Sequence, residues 1–94
     1  MNEPVELPIE DWIDLHSFQP REVPSVVEEY LYQALKKGFR QVRIIHGRGI
    51  GVQREIVHSI LRRHPMVESF CDTGDRGATI VTLVPPKRTQ PPVV

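Results

Sequence analysis

This 94-residue chain has one cysteine, no net charge and no long apolar run. Each absence excludes something. A lone Cys71 cannot close an internal disulfide, and with no second thiolate beside it a zinc pair is excluded, so it is read as a thiol packed beside a strand. No stretch approaches the roughly 20 apolar residues of a membrane helix. The start, MNEPVELPIEDW, is acidic and broken by proline where a leader would be basic and apolar, so a cytoplasmic protein with no membrane partner is expected. A net charge of zero argues against non-specific coating of nucleic acid. No Gly-Lys-Ser/Thr follows its glycines, which excludes a nucleotide P-loop, and Gly47, Gly49 and Gly51 recur every second residue, unlike a dinucleotide-binding fingerprint.

What is present is unevenly placed. Residues 1–34 hold eight acids and one base, a net −7, whereas residues 35–94 hold four acids and eleven bases, a net +7. A split of this kind suits either a basic binding face on a neutral molecule or two solvated surfaces of opposite sign. The length allows one domain with one core of modest size, and a second domain is not expected.

Along the chain, residues 1–9 carry Pro4 and Pro8 among acids without any period and are read as a flexible arm. Residues 10–15 form a short buried strand in which Trp12 packs in the core, a reading preferred to base stacking. Pro20 and Pro24 mark a turn and a helix start, since proline is at home in a first turn. That helix runs to about residue 37 on a stripe of Val23, Val26, Val27, Tyr30, Leu31, Ala34 and Leu35, and Gly38 ends it. The β-branched run 41–45 is a second strand, followed by the glycine turn. A second helix over 52–64 carries the stripe Val52, Ile56, Val57, Ile60 and Leu61, and Pro65 stops it. Residues 66–71 and 78–84 read as strands three and four, and 85–94 as a disordered proline-rich tail.

The order βαβαββ predicts parallel pairing of strands one, two and three through right-handed crossovers, with strand four returning antiparallel. The expected fold is a two-layer α/β sandwich: a mixed four-stranded sheet with both helices on one face.

Open sheets of this kind place ligands at the carboxyl edge of the parallel strands. His16 and His46 fall there. Asp14 stands two residues before His16, on the same face if both stay in the strand; read singly, Asp14 suits a backbone cap and His16 a strand end. Gly47, Gly49 and Gly51 free the backbone to present amides to an anion where helix two begins, and Arg48 within the turn can hold a phosphate in two parallel hydrogen bonds. The same glycines also suit a plain tight connection. His58 and His64 are read as structural or solvated, and Arg62 and Arg63 as a solvated face.

Three motifs together resemble a family. Asp14-Leu15-His16 at the end of strand one, His46-Gly47-Arg48-Gly49 after strand two and Gly77-Ala78-Thr79 opening the last strand are similar, in order and spacing, to the Smr (small MutS-related) domain over about residues 10–84. The resemblance implies a fold like the C-terminal domain of bacterial translation initiation factor 3, with strand order 1-2-4-3. It implies a free-standing domain without the mismatch-repair ATPase, and a nuclease that nicks DNA or cuts RNA. By the same resemblance Asp14, His16 and His46 are the catalytic candidates and Gly47, Arg48 and Gly49 the phosphate-binding ones, to which the glycine turn adds Gly51 and the charge near the site adds Arg76. Two positions depart from the family pattern: Ser17 stands where many members have glycine, and Gly74-Asp75-Arg76-Gly77 replaces a glycine pair.

The expected function is therefore a nucleic-acid-binding endonuclease in which histidines carry protons and Asp14 fixes a tautomer. The alternative is a non-catalytic DNA- or RNA-binding module that acts with a protein partner. An adaptor using the open sheet face is a third reading. No cofactor is required; a divalent cation, Mg²⁺ or Mn²⁺, fits the chemistry, but Asp14 and His16 supply only two ligands.

Overall fold

The computed structural model describes residues 9–47, 51–75 and 77–85. Its elements are β1 (Trp12–Asp14), a 3-10 turn (Pro20–Glu22), α1 (Val23–Lys37), β2 (Gln41–Ile45), α2 (Val52–Arg63), β3 (Val67–Asp72) and β4 (Ala78–Leu83). The expected arm and tail fall, apart from Ile9 and Pro85, outside the described residues. Among the described residues no helix is long and apolar enough to cross a membrane.

Local chemistry sets the ends of α1. The Glu22 carboxylate accepts the Gln19 backbone N–H at 2.8 Å, and Pro24 occupies the first turn, where its missing N–H costs nothing. At the other end Gly38 takes φ 85°, and the amides of Gly38 and Phe39 turn back onto the carbonyls of Leu35 and Ala34. This is the left-handed stop that glycine adopts without a Cβ penalty, and Lys36 and Lys37 complement the dipole beside it.

One core joins the layers. Val23, Val27, Tyr30, Leu31 and Ala34 of α1 meet Val57, Ile60 and Leu61 of α2 over Leu15, Val42, Ile44, Val81 and Leu83. Both helices share this cluster and so cover the same sheet face. The buried stripes are narrower than the sequence suggests: Val26 and Leu35 are partly buried, and Val52, the first residue of α2, is exposed.

The sheet order is β1-β2-β4-β3. β1 pairs parallel with β2, while β4 pairs antiparallel with both β2 and β3. Direct pairing of β2 with β3 therefore does not occur. The two share a direction, but the short 73–77 link folds β4 back along β3, and β4 fills the gap that the α2 crossover leaves beside β2.

Trp12 is a second correction, because it is 48% exposed. Side chains of a strand alternate, so with Ile13 packed against the core and Leu15 within it, Trp12 must face the uncovered side. Cys71 is likewise exposed on β3 rather than packed away.

Candidate functional site

The edge is built first by β1. Asp14 pairs with Ile45, the Leu15 amide continues the ladder onto the Ile45 carbonyl at 2.8 Å, and the Leu15 side chain is fully buried. The chain then turns, so His16 meets Asp14 through this turn rather than along a shared strand face. Asp14 Oδ1 accepts the His16 backbone N–H at 3.0 Å and lies 2.9 Å from His16 Nδ1. The His16 amide, and after it the ring, hold the Asp14 carboxyl below the ordinary carboxylate range against the smaller effect of burial. The imidazole itself is 77% exposed. With Nδ1 engaged by a carboxylate, Nε2 is left facing solvent as the free end of an oriented ring.

α2 is fastened to the same turn. Gln53, in its first turn, donates Nε2–H to the Phe18 carbonyl at 2.8 Å and lies 3.4 Å from that of Leu15. Gly51 caps α2 with φ 88° and no side-chain cap bond, so the amides of the first turn rely on solvent or a ligand. A helix N-terminus in that condition favours an anion. Gly47 also takes a positive φ, 84°, but its N–H is already donated, together with that of His46, to the Gly77 carbonyl at 2.9 and 3.0 Å. The Gly47 amide is thus part of the fold and not of an anion cradle. Arg48, Gly49 and Arg76 lie outside the described residues.

Behind this edge stands a buried polar cluster. His46 is only 6% exposed, with Nε2 at 2.8 Å from Thr79 Oγ1 and Nδ1 at 3.2 Å from the Gly47 carbonyl. Thr79 also donates to Asp72 Oδ1 at 2.8 Å, where His58 Nε2 arrives at the same distance. Arg54 holds the other oxygen, Oδ2, through Nε at 2.7 Å and a terminal nitrogen at 2.5 Å. The His58 ring packs edge-on against Phe70, 5.1 Å between centroids. A carbonyl only accepts, so His46 Nδ1 carries a hydrogen, and a neutral ring presents a bare Nε2 to Thr79. Thr79 has one hydroxyl hydrogen for two acceptors in reach.

Burial raises the Asp72 carboxyl, yet hydrogen bonds from Thr79, Arg54 and His58 outweigh it and bring it from 3.8 to about 2. A depressed folded value stabilises the fold above the unfolded value and is lost as pH falls through the folded one. In chelator-treated protein, wild type should exceed Asp72→Asn by about 2 kcal/mol near neutral pH through this ionisation. Denaturant unfolding should show the gap closing as pH falls from about 4 to about 2. A gap that persists unchanged into that acid range would show that the carboxylate charge is not what the cluster uses.

Of the residues expected at one edge, the structure brings Asp14, His16 and Gly51 there, while His46 is buried behind it. Sequence reasoning missed Gln53 and Asp72, and set His58 aside. One signal was available: Arg54 and His58 stand four apart on α2, on one side of the helix, and both meet Asp72.

Fold and edge together define a small two-layer α/β domain in which the Asp14–His16 turn and the start of α2 lie at the carboxyl end of β1 and β2. The Smr domain profile matches residues 13–84, and the chain belongs to the Smr domain family. The crystal structure of the Smr domain of Thermus thermophilus MutS2 superposes with a TM-score of 0.75 at 35% identity, over 79% of this chain and 98% of that one. That of YdaL, a stand-alone small MutS-related protein from Escherichia coli, gives 0.74 at 29% identity, over 81% and 66%. Endonuclease MutS2 of Caldicellulosiruptor saccharolyticus is 49% identical over 61 residues, which are 61% of this chain and 8% of that protein. Endonuclease MutS2 of Clostridium novyi is 36% identical over 75 residues, 76% of this chain and 10% of that protein. The chain thus spans a tenth or less of the length of these curated relatives.

Proposed function

We propose that this domain binds nucleic-acid phosphate at the edge formed by the Asp14–His16 turn and the start of α2, and cleaves the bound strand as an endonuclease. The observation that carries this reading is the exposed His16 ring, oriented through Nδ1 by Asp14, in a turn whose Phe18 carbonyl is tied by Gln53 to an uncapped helix N-terminus. In this reading the first amides of α2, with Arg48 and Gly49, grip a phosphate, and Arg76 adds charge nearby. His16 Nε2 takes the proton from an attacking water or 2′-hydroxyl as the new P–O bond forms, or delivers one to the leaving oxygen as the old bond breaks. His46, expected from sequence as a second proton carrier, is buried with both nitrogens engaged and is assigned to positioning the glycine turn. Trp12 and Arg43 pair across β1 and β2 on the uncovered sheet face and suit the stacking of bases flanking the bound phosphate.

One observation favours the second reading, a binding module without chemistry: His16 is the sole exposed imidazole at this edge among the described residues. Incubation with labelled single-stranded RNA and with supercoiled plasmid, in Mg²⁺, Mn²⁺ or chelator, separates the two. Cleavage by wild type and not by His16→Ala supports the endonuclease; binding without cleavage in every condition selects the module.

Either reading requires a salt-dependent grip. With about three to five phosphates neutralised, log affinity against log salt should slope between roughly −2 and −5. Arg48→Ala should weaken binding by about 1 to 3 kcal/mol for all sequences alike, since a phosphate contact positions a strand and reads no base. Fluorescence anisotropy across a salt series measures both, and unchanged affinity in folded Arg48→Ala would move the anion site elsewhere.

A further inference from the structure

We propose that His46, His58 and Asp72 form a site for a divalent transition-metal ion of the zinc type, buried behind the glycine turn. The inference does not depend on whether the edge cleaves nucleic acid.

The geometry comes from three elements that meet once. His46 follows β2, His58 lies within α2 and Asp72 ends β3, and one ligand atom from each falls within 4.8 Å of the others. Thr79 Oγ1 sits among them, 2.8 Å from His46 Nε2, 2.8 Å from Asp72 Oδ1 and 3.3 Å from His58 Nε2. The spacing of these donor atoms is uneven, from 2.8 Å up to as much as 4.8 Å, so an ion would have to draw the wide pairs together and part the close ones to reach a tetrahedral arrangement. Bonds of about 2.0 to 2.1 Å set corners roughly 3.4 Å apart, so the His58–Asp72 contact of 2.8 Å must open by about half an ångström. Thr79 would be the fourth, weak ligand or give way to a water.

The surroundings prepare each ligand. A metal-binding imidazole usually donates its other N–H to a carbonyl or carboxylate, and His46 Nδ1 faces the Gly47 carbonyl, which presents Nε2 inward as a lone pair. Arg54 occupies Asp72 Oδ2 and leaves Oδ1 toward the histidines. The side chains of His58 and Asp72 are 12% and 16% exposed, so the site is shielded yet reachable. Binding requires His58 Nε2 to lose the hydrogen that faces Asp72, either to solvent or to Nδ1. Two imidazoles and one carboxylate select zinc-like ions over Mg²⁺ and Ca²⁺, which take oxygen ligands. The exposed pair Asp14–His16 supplies two ligands and no third. An ion at the proposed site would tie the His46–Gly47 turn to α2 and to the β3–β4 hairpin, and so stiffen the edge from behind.

The test uses the full chain, stripped with chelator and dialysed. Titration with Zn²⁺ by calorimetry should give one ion per chain, and Co²⁺ should develop the intense visible absorption of a four-coordinate site. Millimolar Mg²⁺ should displace neither. Outer-shell losses at such sites cost 10- to 100-fold, so loss of a ligand in His58→Ala or Asp72→Asn should weaken Zn²⁺ by more than about 100-fold. His16→Ala should bind as wild type does. Should a ligand variant fail to fold, nitrogen-15 NMR of the wild-type imidazoles decides: Zn²⁺ must shift Nε2 of both His46 and His58. No stoichiometric Zn²⁺ uptake, uptake lost in His16→Ala but kept in His58→Ala, or histidine resonances unmoved by Zn²⁺ would overturn the proposal and leave the cluster a hydrogen-bonded network only.

Discussion

His16→Ala should reduce cleavage by about 10² to 10⁴ while leaving the melting temperature unchanged. The ring is mostly in water and among the described residues it pairs with the part-exposed Asp14 carboxylate, so truncation opens no cavity and strands no buried group there. Exposed pairs of this kind contribute little to stability. Binding should persist if, as proposed, the α2 amides and Arg48 supply the ground-state grip, which does not pass through the imidazole. Asp14→Asn should cost less than His16→Ala: the amide can still accept the His16 N–H from the backbone, but it no longer favours the tautomer with hydrogen on Nδ1. Single-turnover cleavage beside anisotropy and thermal unfolding reads all three quantities. A folded His16→Ala protein with full activity would remove His16 from the chemistry, and parallel loss of binding and cleavage would make it a contact residue.

The legible parts of this protein are those whose signal is local. The three- and four-residue spacing from Val23 to Leu35 marks α1, Gly38 marks its end, and ATIVTL is a strand on propensity alone. The edge was legible as well, since β1 and β2 run parallel and bring their carboxyl ends together. What was hidden depends on which strand lies beside which. Thr79 faces Ile44 on one side and Asp72 on the other, because β4 inserts between β2 and β3. That insertion joins His46, His58, Asp72 and Thr79 across gaps of up to 33 residues in sequence. No periodicity encodes such a meeting. Trp12 failed for a related reason: a half-covered sheet has one wet face, and a three-residue strand is too short for alternation to say which side is covered.

His46→Ala should damage the protein in the opposite manner from His16→Ala, by lowering stability first. The ring is buried, and its removal leaves a cavity beside Thr79 and takes one contact each from the Thr79 hydroxyl, which keeps Asp72, and from the Gly47 carbonyl. Each lost hydrogen bond costs about 0.5 to 1.5 kcal/mol. Adding a share for the cavity, the loss should reach about 2 to 4 kcal/mol. At roughly 4 to 8 °C per kcal/mol for a domain of this size, the melting temperature should fall by about 8 to 32 °C. Cleavage and phosphate binding should decline together in His46→Ala, because His46 and Gly47, which immediately precede Arg48 in sequence, are anchored through the His46 ring and by their amides on the Gly77 carbonyl. Thermal unfolding by circular dichroism in chelator, followed by activity measured well below the melting point, tests the assignment. A melting temperature within about 2 °C of wild type, joined to complete loss of cleavage, would return His46 to the catalytic role and require the buried ring to reach the phosphate.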